Sequence, residues 1–131
     1  TNASEARECP TLLMNGFGGH RIEGIGDKHI PWIHNVRNTD LISAIRDEDC
    51  MRLLRLFNES EGINYLKKSG IEPELADKLE LLGISSICNL LSAIKMAKYF
   101  EYNENDIIIT IFTDSAELYQ SRVQEQKALK G

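Results

Sequence analysis

The chain has 131 residues, 42% of them hydrophobic and 27% charged, which bounds it to one globular domain or to part of a larger one. Its 20 acidic against 15 basic residues give a formal net charge of -5, without the basic footprint that nucleic-acid binding needs. No apolar run approaches the ~18 residues of a membrane helix and no charged-then-apolar leader opens the chain; three widely spaced cysteines, Cys9, Cys50 and Cys88, suit a reduced cytoplasmic protein better than a disulfide framework.

Residues 15–29, NGFGGHRIEGIGDKH, carry five glycines between positions 16 and 26, and with Pro31 they predict a long loop or several short segments over 17–39. The apolar run DLISAI, 40–45, predicts a strand. In RDEDCMRLLRLFNES, Cys50, Leu53, Leu54 and Phe57 fall at helical spacing, with acids in the first turn where the helix dipole favours them. EGINYLKKSG, 61–70, predicts a second short helix closed by Gly70, and Pro73 opens ELADKLELL. In the next helix Ile87, Leu90, Leu91, Ile94 and Ala97 form one apolar stripe, with Lys95 and Lys98 off it. GISS, 83–86, stands at its start, with hydroxyls able to cap the exposed amides.

DIIITIF, 106–112, is continuously apolar and β-branched, as in a strand buried on both faces of a parallel sheet. TDSAELYQ then opens a last helix, with Asp114 and Glu117 at capping-box spacing. The alternation predicts an α/β layer architecture. Two or three strand candidates make too small a sheet to cover such a strand, and its apolar edges stay open. The chain therefore pairs with itself or with another chain, or the rest of the sheet lies elsewhere.

Several candidate sites weaken on inspection. A dinucleotide fingerprint would require glycine at 21 or 29, where Arg21 and His29 stand, and no Walker lysine-serine ending follows. His20, His29 and His34, with Glu23 and Asp27 between them, match neither the helical pair nor the short spacings of zinc sites. A metal-binding loop there stays a minor alternative. Cys88 sits beside an apolar stripe and reads as a small core hydrophobe.

Taken in order, EGIGDKHIP (23–31), DLISAIRDEDC (40–50), GISSICNLLSAIKMAK (83–98) and IIITIFTDSAELY (107–119) resemble the C-terminal portion of the cysteine synthase and cystathionine β-synthase family. These are pyridoxal 5′-phosphate enzymes of fold type II. The resemblance implies an α/β fold, a partial three-layer sandwich with a mostly parallel sheet. It implies that Gly24, Ile25 and Gly26 form the loop beside the cofactor, where bare backbone approaches a ligand without a Cβ in the way. Ser85 matches the serine that hydrogen-bonds the pyridine nitrogen, and Thr113 matches a second position from which that nitrogen is contacted.

Ile87 and Ala116 stand where the family has glycine, which implies a divergent subfamily. The Schiff-base lysine, the substrate-carboxylate loop and the phosphate-binding loop belong to the family's earlier portion, and no lysine here matches the first. The resemblance thus implies residues 1–131 as part of a cytoplasmic, homodimeric lyase or transferase of amino-acid metabolism. It would act on an amino-acid substrate by β-elimination or β-replacement and be inactive without its N-terminal portion, with neither nucleic acid nor membrane as partner. The alternative is a free-standing, non-catalytic interaction module that keeps the scaffold.

Overall fold

In the computed structural model, which describes residues 1 to 130, two strands pair in parallel: β1 (Asn2–Ala6) and β2 (Leu41–Ile45), in register from Asn2 beside Leu41 to Ala6 beside Ile45. β2 matches the expected strand. β1 was not expected, because NASEA lacks the apolar character of a buried strand. Polar bonds hold it instead. The Thr1 carbonyl accepts from the amides of Asp40 and Leu41 (2.9 and 3.1 Å). The Asn2 side chain accepts from the Ser43 hydroxyl (3.0 Å) and donates to that of Ser92 (3.1 Å).

Six helices accompany the pair: α1 (Thr11–Met14), α2 (Asp47–Asn58), α3 (Ser60–Lys68), α4 (Pro73–Lys78), α5 (Ile84–Tyr99) and α6 (Gln120–Lys130). α2 opens on Asp47, Glu48 and Asp49 and buries Cys50, Met51, Leu54 and Phe57, the face expected from its spacing. α3 ends before Gly70, whose φ of +97° lets the Ile71 amide reach back to the Leu66 carbonyl (3.1 Å). Pro73 begins α4, where its missing N–H has no helical partner to lose.

α5 packs on both strands, and α2 packs on α5 and α6. The core gathers along these contacts, with Ile45, Leu54, Ile84 and Ile87 fully buried. Each such side chain contributes roughly 1.5–3 kcal/mol of transfer free energy. Burial on α5 concentrates in its first half, and Ile94, on the expected apolar stripe, is 41% exposed. No described helix is long and apolar enough to cross a membrane.

One expected element does not form. Residues 106–112 belong to no strand, and Ile107, Ile109 and Ile111 are 87%, 89% and 71% exposed. The β-branched run has the composition of a central strand, but a strand exists only by pairing, and no neighbour lies beside this one among the described residues. The last helix also starts differently from its expected capping box. Ser115 caps the short 3-10 turn Ala116–Tyr119 before α6, its hydroxyl accepting from the Glu117 amide (3.4 Å), while Asp114 serves another helix.

Candidate functional site

Three segments distant in sequence meet at the start of α5. The first is the glycine loop. Gly24 and Gly26 have φ of +87° and +94°, a region glycine enters without steric penalty. Ile22 is buried and Ile25 packs against the core, so two apolar anchors hold the bare backbone of the loop in place. A Cβ placed on Gly24 would stand 3.6 Å from the Ser85 hydroxyl oxygen, so the loop backbone passes directly by that side chain.

The second segment is the first turn of α5. Ser85 is 3% exposed, and its hydroxyl lies 2.7 Å from the hydroxyl of Thr113. Thr113, in the third segment, is exposed. Ser85, Gly24 and Thr113, separated by up to 89 positions, therefore share one site. Ile25 faces the core rather than the two hydroxyls, and Gly26 lies against His20, whose ring occupies the space a side chain there would take.

The serines do not cap α5, contrary to the sequence expectation. Every helix leaves its first amides without an internal partner, and here Asp114 supplies the acceptors. Its carboxylate accepts from the amides of Ser85 (3.0 Å) and Ser86 (2.8 Å) and lies 2.5 Å from the Ser86 hydroxyl. Its carbonyl accepts from the Gly83 amide (3.2 Å). Desolvation opposes ionisation of Asp114, but the Ser86 hydroxyl and the two amides outweigh it and hold the carboxyl below its ordinary range. Tyr119 is buried beside it. Desolvation first, then its hydrogen bond to Asp114 and the charges of Asp114 and Glu23, push the phenol up to about 12, so it stays neutral and donates.

A last tie joins the loop to α6. Arg122 pairs with Glu23, the residue before Gly24, at 2.8 Å from Nε and 2.7 Å from Nη2 to one carboxylate oxygen. Sequence reading missed Tyr119, Arg122 and the placement of His20 under Gly26, and it gave Asp114 to the last helix rather than to α5. The available signal was the helix start itself: GISS offers no acidic cap, so an acceptor had to arrive from another segment. His20, His29 and His34 line one cavity of about 610 Å³ with Gly24, Ile25 and Gly26. Among the described residues they do not converge as a group that could hold a metal ion.

Chemically, the site offers two neutral hydroxyls beside bare backbone, with an anionic carboxylate behind them. That set fits the edge of a flat heteroaromatic ring, which needs one hydrogen-bonding partner and no side chain against its face. Residues 22–26, Ser85 and Thr113 include no lysine, and no second glycine loop stands among these segments.

No protein-family model matches the chain. Cysteine synthase B of Campylobacter jejuni is 31% identical over 117 residues, which cover 89% of this chain and 32% of that protein. The O-acetylserine dependent cystathionine beta-synthase of Bacillus subtilis is 31% identical over 112 residues, 84% of this chain and 30% of that one. The chain resembles the C-terminal portion of enzymes of the cysteine synthase family. Solved structures of cysteine synthase-like enzymes carry the same fold. The cysteine synthase of Entamoeba histolytica superposes with a TM-score of 0.68 at 27% identity, covering 98% of this chain and 36% of that one. A hydrogen sulfide-producing enzyme of Fusobacterium nucleatum gives 0.68 at 26%, covering 91% and 34%. The α/β architecture with its small parallel sheet is thus that of a cysteine synthase-like protein, and the chain spans about a third of the length of the relatives it matches.

Proposed function

We propose that this chain forms the C-terminal portion of a pyridoxal 5′-phosphate-dependent enzyme that performs β-elimination or β-replacement on an amino acid. The observation that carries this reading is the convergence of Ser85, Thr113 and Gly24 at one point, since these are the positions at which the family places its cofactor wall. The names of two relatives support this reading: one is O-acetylserine dependent and another produces hydrogen sulfide. The substrate class we propose is a small amino acid with a leaving group on its β-carbon.

When bound, the cofactor supplies the electron sink for bond cleavage at the amino acid. The chain's own residues orient it. Ser85 would present its hydroxyl to the pyridine nitrogen, with Thr113, 2.7 Å away, orienting that hydroxyl. A neutral partner does not force a proton onto the nitrogen as a carboxylate would, which suits reactions in which the leaving group takes the electrons. Gly24 would leave room for the ring beside Ser85, whereas the space beside Gly26 is taken by the His20 ring, and Ile25 anchors the bend between them. The lysine, the phosphate loop and the substrate-carboxylate loop come from an N-terminal portion. The assembled protein would be a cytoplasmic homodimer.

Alone, the chain should neither catalyse nor retain the cofactor, because one hydroxyl hydrogen bond contributes only about 1 kcal/mol. The test is to produce the chain together with the preceding two thirds of the Campylobacter relative and to add pyridoxal 5′-phosphate. Ser85→Ala should shift the visible absorbance of the bound cofactor while circular dichroism stays unchanged. An identical spectrum and identical turnover would refute the role of Ser85.

A further inference from the structure

The bend that carries Gly24 and Gly26 is held at both ends, by unlike means. At its far end the Asp27 carbonyl accepts from the Thr11 hydroxyl at 2.5 Å, and the Cys9 sulfur lies 3.9 Å from the same oxygen. Thr11 is 8% exposed and Cys9 is fully buried, so this clamp is neutral and dissolved ions have nothing there to screen. At the near end Glu23 meets Arg122, and both side chains are about two-fifths exposed. Gly24, next to Glu23, is the residue whose backbone passes the Ser85 hydroxyl. The end of the bend that faces the hydroxyl is therefore the end whose tether depends on charge.

The helix under Arg122 is firmly seated. Val123 and Gln126 are buried, and Tyr119, one turn earlier, is buried with its hydrogen bond to Asp114. Asp114 in turn accepts from the Ser85 amide at 3.0 Å. Residues 119 and 122 thus reach both walls of the site, Tyr119 through Asp114 to the serine and Arg122 through Glu23 to the glycine. Glu125 takes Nη1 of Arg122 at 3.0 Å, which leaves Nε and Nη2 turned towards Glu23. Arg122 lies beyond the last of the four blocks that carry the family resemblance.

We propose that Arg122 is a positioning residue: paired with Glu23, it sets how closely the Gly24 backbone approaches Ser85, and it makes ligand binding at that wall depend on ionic strength. This rests on the proposed function, in which the wall receives the cofactor's ring. Arg122 touches no reacting atom, so loss of the tether should weaken binding of ground state and transition state alike.

The test uses the chain co-produced with the preceding two thirds of the Campylobacter relative. Arg122→Ala should weaken pyridoxal 5′-phosphate binding, titrated by fluorescence without substrate, by about three- to fivefold, the most that an exposed ion pair supplies. KM for the amino acid should rise by a similar factor while kcat stays within about twofold. Arg122→Lys, which keeps the charge, should recover most of the affinity. Lys127→Ala removes the same charge from an exposed position further along α6 and should bind as the parent does. Added salt should bring the parent towards Arg122→Ala. In the chain alone, the NMR amide signal of Gly24 should move in Arg122→Ala, while that of Asp27 stays where Thr11 fixes it. An equal loss in Lys127→Ala, a fall in kcat with KM unchanged, or a Gly24 signal that does not move would each overturn the assignment. A Gly24 signal that moves in a protein taking up no cofactor would support the tether and sink the proposed function instead.

Discussion

The carboxylate of Asp114 fills the space in which a side chain on Gly83 would begin: a Cβ there would fall within 2.7 Å of both of its oxygens. Gly83→Ala should therefore dislodge the cap of α5 and strand the buried amides of Ser85 and Ser86. The expected loss is about 1–3 kcal/mol, read from the urea midpoint. Gly19→Ala, where nothing lies within 4 Å, should stay within about 0.5 kcal/mol of the parent.

Asp114 also sets an acid-side pH dependence. Its carboxyl titrates lower in the folded chain than in the unfolded one. The stabilisation it gives is complete above the ordinary carboxylate range and disappears as the pH falls through the folded value. Melting temperatures taken from pH 7 downwards should drop less steeply for Asp114→Asn than for the parent. Parallel curves would show that another carboxylate governs the acid limb.

Tyr119 gives the alkaline counterpart. Its phenol sits at about 12 in the folded chain against 10 for a free side chain, so the fold keeps a proton that the unfolded chain releases. The resulting stability is present below pH 10 and is lost as the pH climbs towards 12. Tyr119→Phe should flatten that decline, and the ultraviolet phenolate signal of the parent should show one tyrosine ionising later than the others.

Cys50 and Cys88 are both fully buried on facing helices. The hydrogen bond from Cys88, then burial, then the charges of Asp47 and Asp49 hold the Cys50 thiol far above its ordinary range. Since the thiolate is the reactive form, both cysteines should resist an aromatic disulfide reagent in the native chain. Their labelling rate should equal the rate of unfolding, and a faster reaction would expose a local opening between α2 and α5.

The ion pair of Glu23 and Arg122 is about two-fifths exposed on each side and should contribute under about 1 kcal/mol to stability. Its effect lies in restraint. Arg122→Ala should barely move the unfolding midpoint yet speed amide exchange at residues 23 to 26, and high salt should reproduce part of that change in the parent.

The sequence shows α2 through its acids and its Cys50–Leu54–Phe57 spacing, α3 through Gly70 and α4 through Pro73, because each of these signals acts within a few residues. β1 left no such trace, since Asn2 is held by Ser43 and Ser92, which lie 41 and 90 positions away. Residues 106–112 misled for the opposite reason. Their composition records a neighbour that this chain does not provide. At the site, Ser85, Gly24 and Thr113 were legible as members of ordered blocks. Asp114 was read locally, as the cap of the helix that follows it, whereas its hydrogen bonds run 28 positions back to Ser86.

The parallel pairing of β1 with β2 makes residues 7 to 40 the crossover between them, and the glycine bend lies inside that crossover. No helix longer than the four residues of α1 stiffens it, so closing it costs on the order of 3 kcal/mol of chain entropy before the sheet gives anything back. Strand registration and ligand-loop shape are for that reason one cooperative event: a proteolytic nick anywhere between Gly16 and Asn35 should melt the β-pair as well as the bend.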